Sequence, residues 1–169
     1  CKIIPHVSAD NKNWGLDHGT WAVLRHVYPQ ANIPVIQLSL DMTKPPSYHY
    51  ELGKKLKELR NHGVLIIGSG NVVHNLRKIK WEENAEPYDW AIEFDAWVKE
   101  NLLQKNYDAL ITKFNESPAG QLSVPTTEHY LPLLYILGAA DESDELHFEF
   151  EGIQNGSISM LTMSFTSKE

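Results

Sequence analysis

Apolar positions along this chain recur at two different periods, and the switching between them predicts an α/β domain. Over residues 19–28, Trp21, Leu24 and Tyr28 share one helical face. Ile33 to Leu40 instead has the apolar density of a buried strand, with Pro34 at its start. A Pro-containing loop over 41–47 follows, and Tyr48, Leu52, Leu56 and Leu59 then return to helical spacing, with Gly63 as the cap. Val64 to Ile67 is a short, almost fully apolar run that reads as a central strand. Strand, helix and strand in that order form a βαβ unit, which implies a parallel pair with a right-handed crossover.

The second half is mostly helical until its end. Residues 72–80 read as a short helix, and Pro87 opens another whose stripe is Trp90, Phe94, Trp97 and Leu102. Residues 107–114 extend the helical pattern, and the polar stretch 117–127 reads as a loop. Thr126 or Thr127 is placed to cap a further helix with Tyr130, Leu133, Leu134 and Leu137 on its apolar face. Two alternating runs, Leu146 to Phe150 and Ile158 to Phe165, flank Asn155-Gly156, which favours a hairpin turn. The expected architecture is a mixed, largely parallel central sheet flanked by helices on both faces, with a C-terminal β-hairpin.

Bulk properties narrow the function. The 169 residues suit one domain with a sizeable core. A net charge of −7 argues against nucleic acid or an anionic membrane as the main partner. Arg77, Lys78 and Lys80 are the densest basic cluster and read as a solvated face. No apolar run is long enough to span a bilayer, and the single cysteine excludes an internal disulfide framework, which fits a cytoplasmic protein. Cys1 stands where an initiator Met is expected, so residues 1–169 are read as a single α/β catalytic domain lacking part of its N-terminus.

Candidate chemistry gathers at three histidines, each where an extended or loop segment passes into an apolar helical pattern. They are His18 in Trp14-Gly-Leu-Asp-His-Gly-Thr-Trp21, His74 in Gly68-Ser-Gly-Asn-Val-Val-His-Asn75, and His129 in Pro125-Thr-Thr-Glu-His-Tyr-Leu-Pro132. Such switch points in α/β folds collect at one sheet edge, where ligands bind. Converging imidazoles there would make a metal or acid–base site. Gly68-Ser-Gly70 lacks the Gly-Lys-Ser/Thr ending of a phosphate loop, so its glycines are read as a tight turn delivering His74. The Trp90, Phe94 and Trp97 stripe reads as core rather than a base-stacking platform. His26, His49, His62 and His147 fall among solvated residues and are given no role; His6 has no assigned place.

At these motifs the chain resembles the class III extradiol ring-cleavage dioxygenases, the LigB family, and most nearly its 4,5-DOPA dioxygenase branch. The three histidine segments carry the resemblance, extended at two ends to Leu76 and Tyr135. Ile33-Pro-Val-Ile-Gln-Leu-Ser39, Glu151-Gly-Ile153 and Gly156-Ser-Ile-Ser-Met160 carry it further. It covers the chain from about Trp14 to Phe165.

The resemblance implies a mononuclear non-haem Fe(II) site, compatible with zinc, that takes a catechol and O₂ and opens the aromatic ring. It places His74 and His129 at the metal and makes His18 or His74 the catalytic acid or base. Asp17 is then a candidate to orient His18, with Asn71 and Asn75 as hydrogen-bonding support. Tyr130, Trp21 and Arg77 are candidates for the substrate's side-chain end. A neutral imidazole can accept the catechol proton near neutral pH. The family pattern also includes an N-terminal portion of roughly a hundred residues with two further histidine elements, His-Gly-Ser/Thr-Pro and Ser-Ala-His-Trp, and neither occurs here. Two imidazoles alone hold a divalent ion poorly, since catalytic sites commonly use about three protein ligands. A zinc hydrolase on the same scaffold and a non-catalytic remnant with an incomplete site therefore stand as alternatives.

Overall fold

The computed structural model describes residues 8–10, 13–82 and 84–167; Cys1 and His6 lie outside them. The helices are α1 (His18–Val27), α2 (Pro46–Leu56), α3 (Asp89–Leu103), α4 (Tyr107–Thr112), α5 (Pro118–Ser123) and α6 (Leu131–Ala139). Four short strands follow: β1 (Glu145–Phe150), β2 (Ile153–Gln154), β3 (Ile158–Ser159) and β4 (Thr162–Thr166).

The core forms around α3, because its stripe is long and α6 is apolar on nearly every side. Ala91, Phe94, Val98 and Leu102 of α3 bury against Leu110, Phe114, Tyr130, Leu131, Leu134 and Leu137. Trp97 stacks on Phe94 and Trp90 on Tyr88, so the aromatic stripe belongs to the packing, as expected. The stretch 117–127 departs from its reading as a loop. Ser117 caps α5 by accepting from the Gly120 N–H, and Pro118 sits at the first helical position. Neither Thr126 nor Thr127 caps α6 through its side chain; the Thr127 carbonyl takes the N–H groups of Tyr130 and Leu131 instead.

The C-terminal strands form two nested antiparallel pairs. Asn155 and Gly156, with φ of 52° and 73°, make the tight turn between β2 and β3. Outside them β1 pairs with β4, from Glu145 opposite Thr166 to Phe150 opposite Thr162, with a bulge near Phe150. The domain is thus mixed α/β with small antiparallel sheets.

The expected parallel pair is not formed among the described residues. Ile33–Leu40 and Val64–Ile67 are extended but belong to neither sheet. Their apolar side chains are largely in solvent, with Ile36 at 96% exposure and Leu65 at 63%. Leu38 and Leu40 pack inward, against Leu52 of α2 and Tyr135 of α6. Helix α1 likewise buries none of its residues. The apolar pattern that signals an inner strand is present, but nothing in the described chain lies alongside to pair with it.

Glycines set how closely the layers approach. A Cβ on Gly53 would lie 2.3 Å from the Tyr135 carbonyl oxygen, and one on Gly138 2.2 Å from that of Tyr50, so α2 and α6 touch backbone to backbone. Gly68 and Gly70 act in the same way. A Cβ on Gly68 would meet the Pro132 carbonyl at 2.8 Å, and one on Gly70 the His129 carbonyl at 2.2 Å. Neither has a positive φ, so they serve close approach and not the tight turn read from the sequence. The expected helix over 72–80 also shrinks to a 3₁₀ turn at Leu76–Lys78, because residues 71–75 are held by neighbouring backbone.

His49 corrects another expectation. It is fully buried, with Nδ1 3.0 Å from the Tyr135 hydroxyl. Burial lowers its affinity for a proton, against the opposing pull of the Lys44 backbone and Asp41, and it raises Tyr135 to about 12.

Two outcomes follow for stability. Gly138→Ala should gain about 1 kcal/mol of helix propensity but lose about 1–3 kcal/mol to overpacking against a carbonyl that cannot swing aside. A net fall in the denaturant midpoint is expected, and Gly70→Ala should behave alike. An unchanged or raised midpoint would show that the helices separate freely. For His49, the folded state binds a proton less readily than the unfolded chain. Its contribution is therefore present above the ordinary imidazole pKa of about 6.5 and is lost as pH falls below it. Midpoints measured against pH should fall through that window, and His49→Gln, which cannot titrate, should flatten this part of the curve.

Candidate active site

Three of the expected residues come to one place from distant parts of the chain. The rings of His74 and His129 stack with centroids 3.6 Å apart and planes 15° from parallel. His18 opens α1, close enough that a charge on it disfavours one on His129. Ser69 ties α1 to the glycine segment by donating to the Gly19 carbonyl at 2.9 Å.

Backbone bonding explains why the pair meets. The Asn71 N–H donates to the His129 carbonyl at 2.9 Å, at the point where Gly70 allows the two chains to touch. The His74 N–H donates to the Ser123 carbonyl at 2.9 Å, and His74 bridges Ile158 of β3 in antiparallel fashion. On the far side the Asn75 N–H donates to Ser157, whose hydroxyl returns a bond to the Asn75 carbonyl at 2.9 Å. Each imidazole is thus carried on a segment fixed by neighbouring backbone, although neither lies inside a helix.

The electrostatics keep both rings neutral. Burial lowers the proton affinity of His74, and the adjacent His129 adds to the effect. Burial also lowers His129, and His18 contributes, while Glu128 pulls the other way. Against the upward push of burial on Glu128 itself, the Thr126 hydroxyl at 2.7 Å and the two imidazoles hold its carboxyl below the ordinary range. Glu128 had no role in the sequence reading. Its position beside His129 was the available signal, but adjacency along a chain does not fix direction in space.

The remaining expected residues have structural partners. Asp17 caps α1, accepting from the Thr20 N–H at 2.9 Å, and takes a second bond from Gln37 Nε2 at 2.7 Å. Those bonds, the Thr20 backbone first, keep its carboxyl below the usual range. Asn71 Nδ2 donates to the Ser159 carbonyl and Asn75 Nδ2 to that of Leu122, both at 2.7 Å. Both amides fasten backbone around His74. Tyr130 does not face the site. Its ring is fully buried, stacked on Phe114, and its hydroxyl donates to the Leu110 carbonyl at 2.8 Å. Trp21 and Arg77 are exposed, and no contact places either against the imidazole pair.

Imidazole nitrogens are donors of the kind a borderline divalent cation takes, and His74 and His129 bring two such rings together, stacked so that their in-plane lone pairs run side by side. Among the described residues no group of three or more His, Cys, Asp or Glu side chains is arranged to hold a metal ion.

Known proteins share both this sequence and this shape. The chain is 46% identical over 159 residues to the 4,5-DOPA dioxygenase extradiol of Escherichia coli (strain K12), covering 93% of this chain and 59% of that protein. It is 36% identical over 162 residues to the 4,5-DOPA dioxygenase extradiol of Beta vulgaris, covering 95% of this chain and again 59% of the relative. The crystal structure of an uncharacterized protein from Escherichia coli K12 superposes with a TM-score of 0.87 at 44% identity, over 96% of this chain and 68% of that one. The chain therefore spans rather more than half the length of the curated relatives it matches. Residues 2–161 match the family described as the catalytic LigB subunit of aromatic ring-opening dioxygenase, and the chain belongs to that family.

Proposed function

We propose that this chain is the larger part of an extradiol dioxygenase that opens the ring of a DOPA-like catechol with O₂. The observation that carries the reading is the His74–His129 stack, built from two segments far apart in sequence and kept neutral by burial. His74 and His129 would hold a mononuclear metal, Fe(II) or zinc, and further ligands would come from polypeptide outside the region matched here. When bound, the metal supplies a place where catechol and O₂ are held together. The chain's own residues do the rest. His18, exposed at the start of α1 and near His129, takes the catechol proton as general base. Glu128 offers a negative charge that stabilises positive charge developing at either imidazole.

The same reading accounts for the solvent-exposed strand-like segments. Ile33–Leu40 and Val64–Ile67 are strands of a largely parallel sheet with helices on both faces, completed by the part of the relatives that lies outside the matched 59%. Catechol and O₂ are the partners. The acidic balance disfavours nucleic acid, no helix among the described residues is long and apolar enough to cross a membrane, and the single cysteine fits a cytoplasmic setting.

Anaerobic loading with Fe(II), followed by DOPA and O₂, should give a yellow ring-opened semialdehyde with matching O₂ uptake. His74→Ala and His129→Ala should each weaken metal binding at least about 10- to 100-fold, the loss that follows even when a ligand's outer partner is removed. Oxygen-independent ester hydrolysis with zinc would assign a hydrolase instead. Unaltered metal affinity in both variants would make the stacked pair structural.

A further inference from the structure

Behind the imidazole pair lies a buried carboxylate that the chemistry above does not use. Asp95, on the inner side of α3, is 7% exposed, and its Oδ1 accepts from the Ser159 hydroxyl at 2.5 Å. Ser159, itself 1% exposed, is where β3 grips the His74 segment. Its N–H donates to the Val73 carbonyl at 2.9 Å, and its carbonyl accepts from Asn71 Nδ2 at 2.7 Å. Asn71 in turn donates its N–H to the His129 carbonyl. A continuous set of bonds thus runs from Asp95 to the His129 backbone and to Val73, the residue before His74.

Two physical constraints make this more than packing. An ionised carboxylate only accepts, so the Ser159 proton must point at Asp95, leaving the oxygen's lone pairs for the Leu161 N–H at 3.1 Å. The hydroxyl has one orientation, and a bond to a charged acceptor is roughly twice as strong as a neutral one. Secondly, β3 is only two residues long, and a slip of one residue would exchange the faces of Ile158 and Ser159. A short strand specifies its register weakly through its own ladder. An acceptor buried opposite Ser159 rejects the slipped arrangement, because Asp95 would then face Ile158 without its hydroxyl partner. Lys99, one turn along α3, holds the second oxygen at 3.5 Å and also binds Glu151 at 2.7 Å.

We propose that Asp95, acting through Ser159, is a positioning residue that fixes the register of β3 and so the stacking of His74 on His129. The proposal rests on reading that pair as the functional site. Its test measures ring geometry and not turnover, so the two can fail separately. In metal-free protein at a pH where both rings are neutral, each stacked imidazole should displace the other's ring protons upfield in NMR spectra. Ser159→Ala should lose most of that displacement. Asp95→Asn, which keeps an acceptor oxygen but no charge, should lose part of it. Val98→Ala, a cavity in the same helix, should lower the melting temperature and leave the displacement intact. Wild-type ring shifts in both Ser159→Ala and Asp95→Asn would overturn the proposal, as would equal loss in Val98→Ala. If Ser159→Ala does not fold, Asp95→Asn decides in the same way, partial loss supporting the proposal and wild-type shifts overturning it.

Discussion

The contact that joins the two imidazole-bearing segments directly is a backbone bond, from the Asn71 N–H to the His129 carbonyl, made where Gly70 removes the side chain that would block it. It joins a segment that belongs to no helix or sheet to the entry of α6. One residue beyond His129, Tyr130 is sealed in the core with its hydroxyl on Leu110. Three residues beyond Asn71 lies His74. The imidazole pair therefore inherits its rigidity from the core through one turn of backbone on each side. Side-chain contacts between the rings could not supply this by themselves, because two stacked neutral imidazoles attract weakly.

Burial and closeness act together here. Burial favours the uncharged rings, the form in which a nitrogen lone pair is available. Closeness makes charge on His129 disfavour charge on His74. Glu128 sits beside both and works against this, favouring a proton on either ring.

The meeting of His74 with His129 was legible because both lie in distinctive motifs, and the segments that resemble the family around His18, His74 and His129 are long. The helices were legible for a similar reason: α2, α3 and α6 carry apolar stripes at the expected spacing, and Asn155-Gly156 announces its turn. The misreadings have a common origin in context. The glycines at 68 and 70 read as a turn because sequence shows a missing side chain and not the carbonyl that occupies its space. Tyr130 was placed with its neighbour His129, although successive residues at a helix entry point in different directions. His49 looked solvated among Lys and Glu, yet α2 turns it toward Tyr135. Apolar density at 33–40 and 64–67 reads as buried strand, and the described chain shows neither pairing nor burial there: both segments are extended, outside either sheet and largely exposed.

That last feature bears on how the molecule behaves as a solute. Wherever Ile36, Leu65 and their neighbours are left uncovered, as they are among the described residues, they form apolar patches whose meeting the surplus of seven negative charges opposes. Added electrolyte shortens the reach of that repulsion to about 10 Å at 0.1 M and leaves the adhesion untouched. For copies in which these segments stay uncovered, raising the ionic strength therefore favours self-association, while cooling weakens the apolar attraction itself.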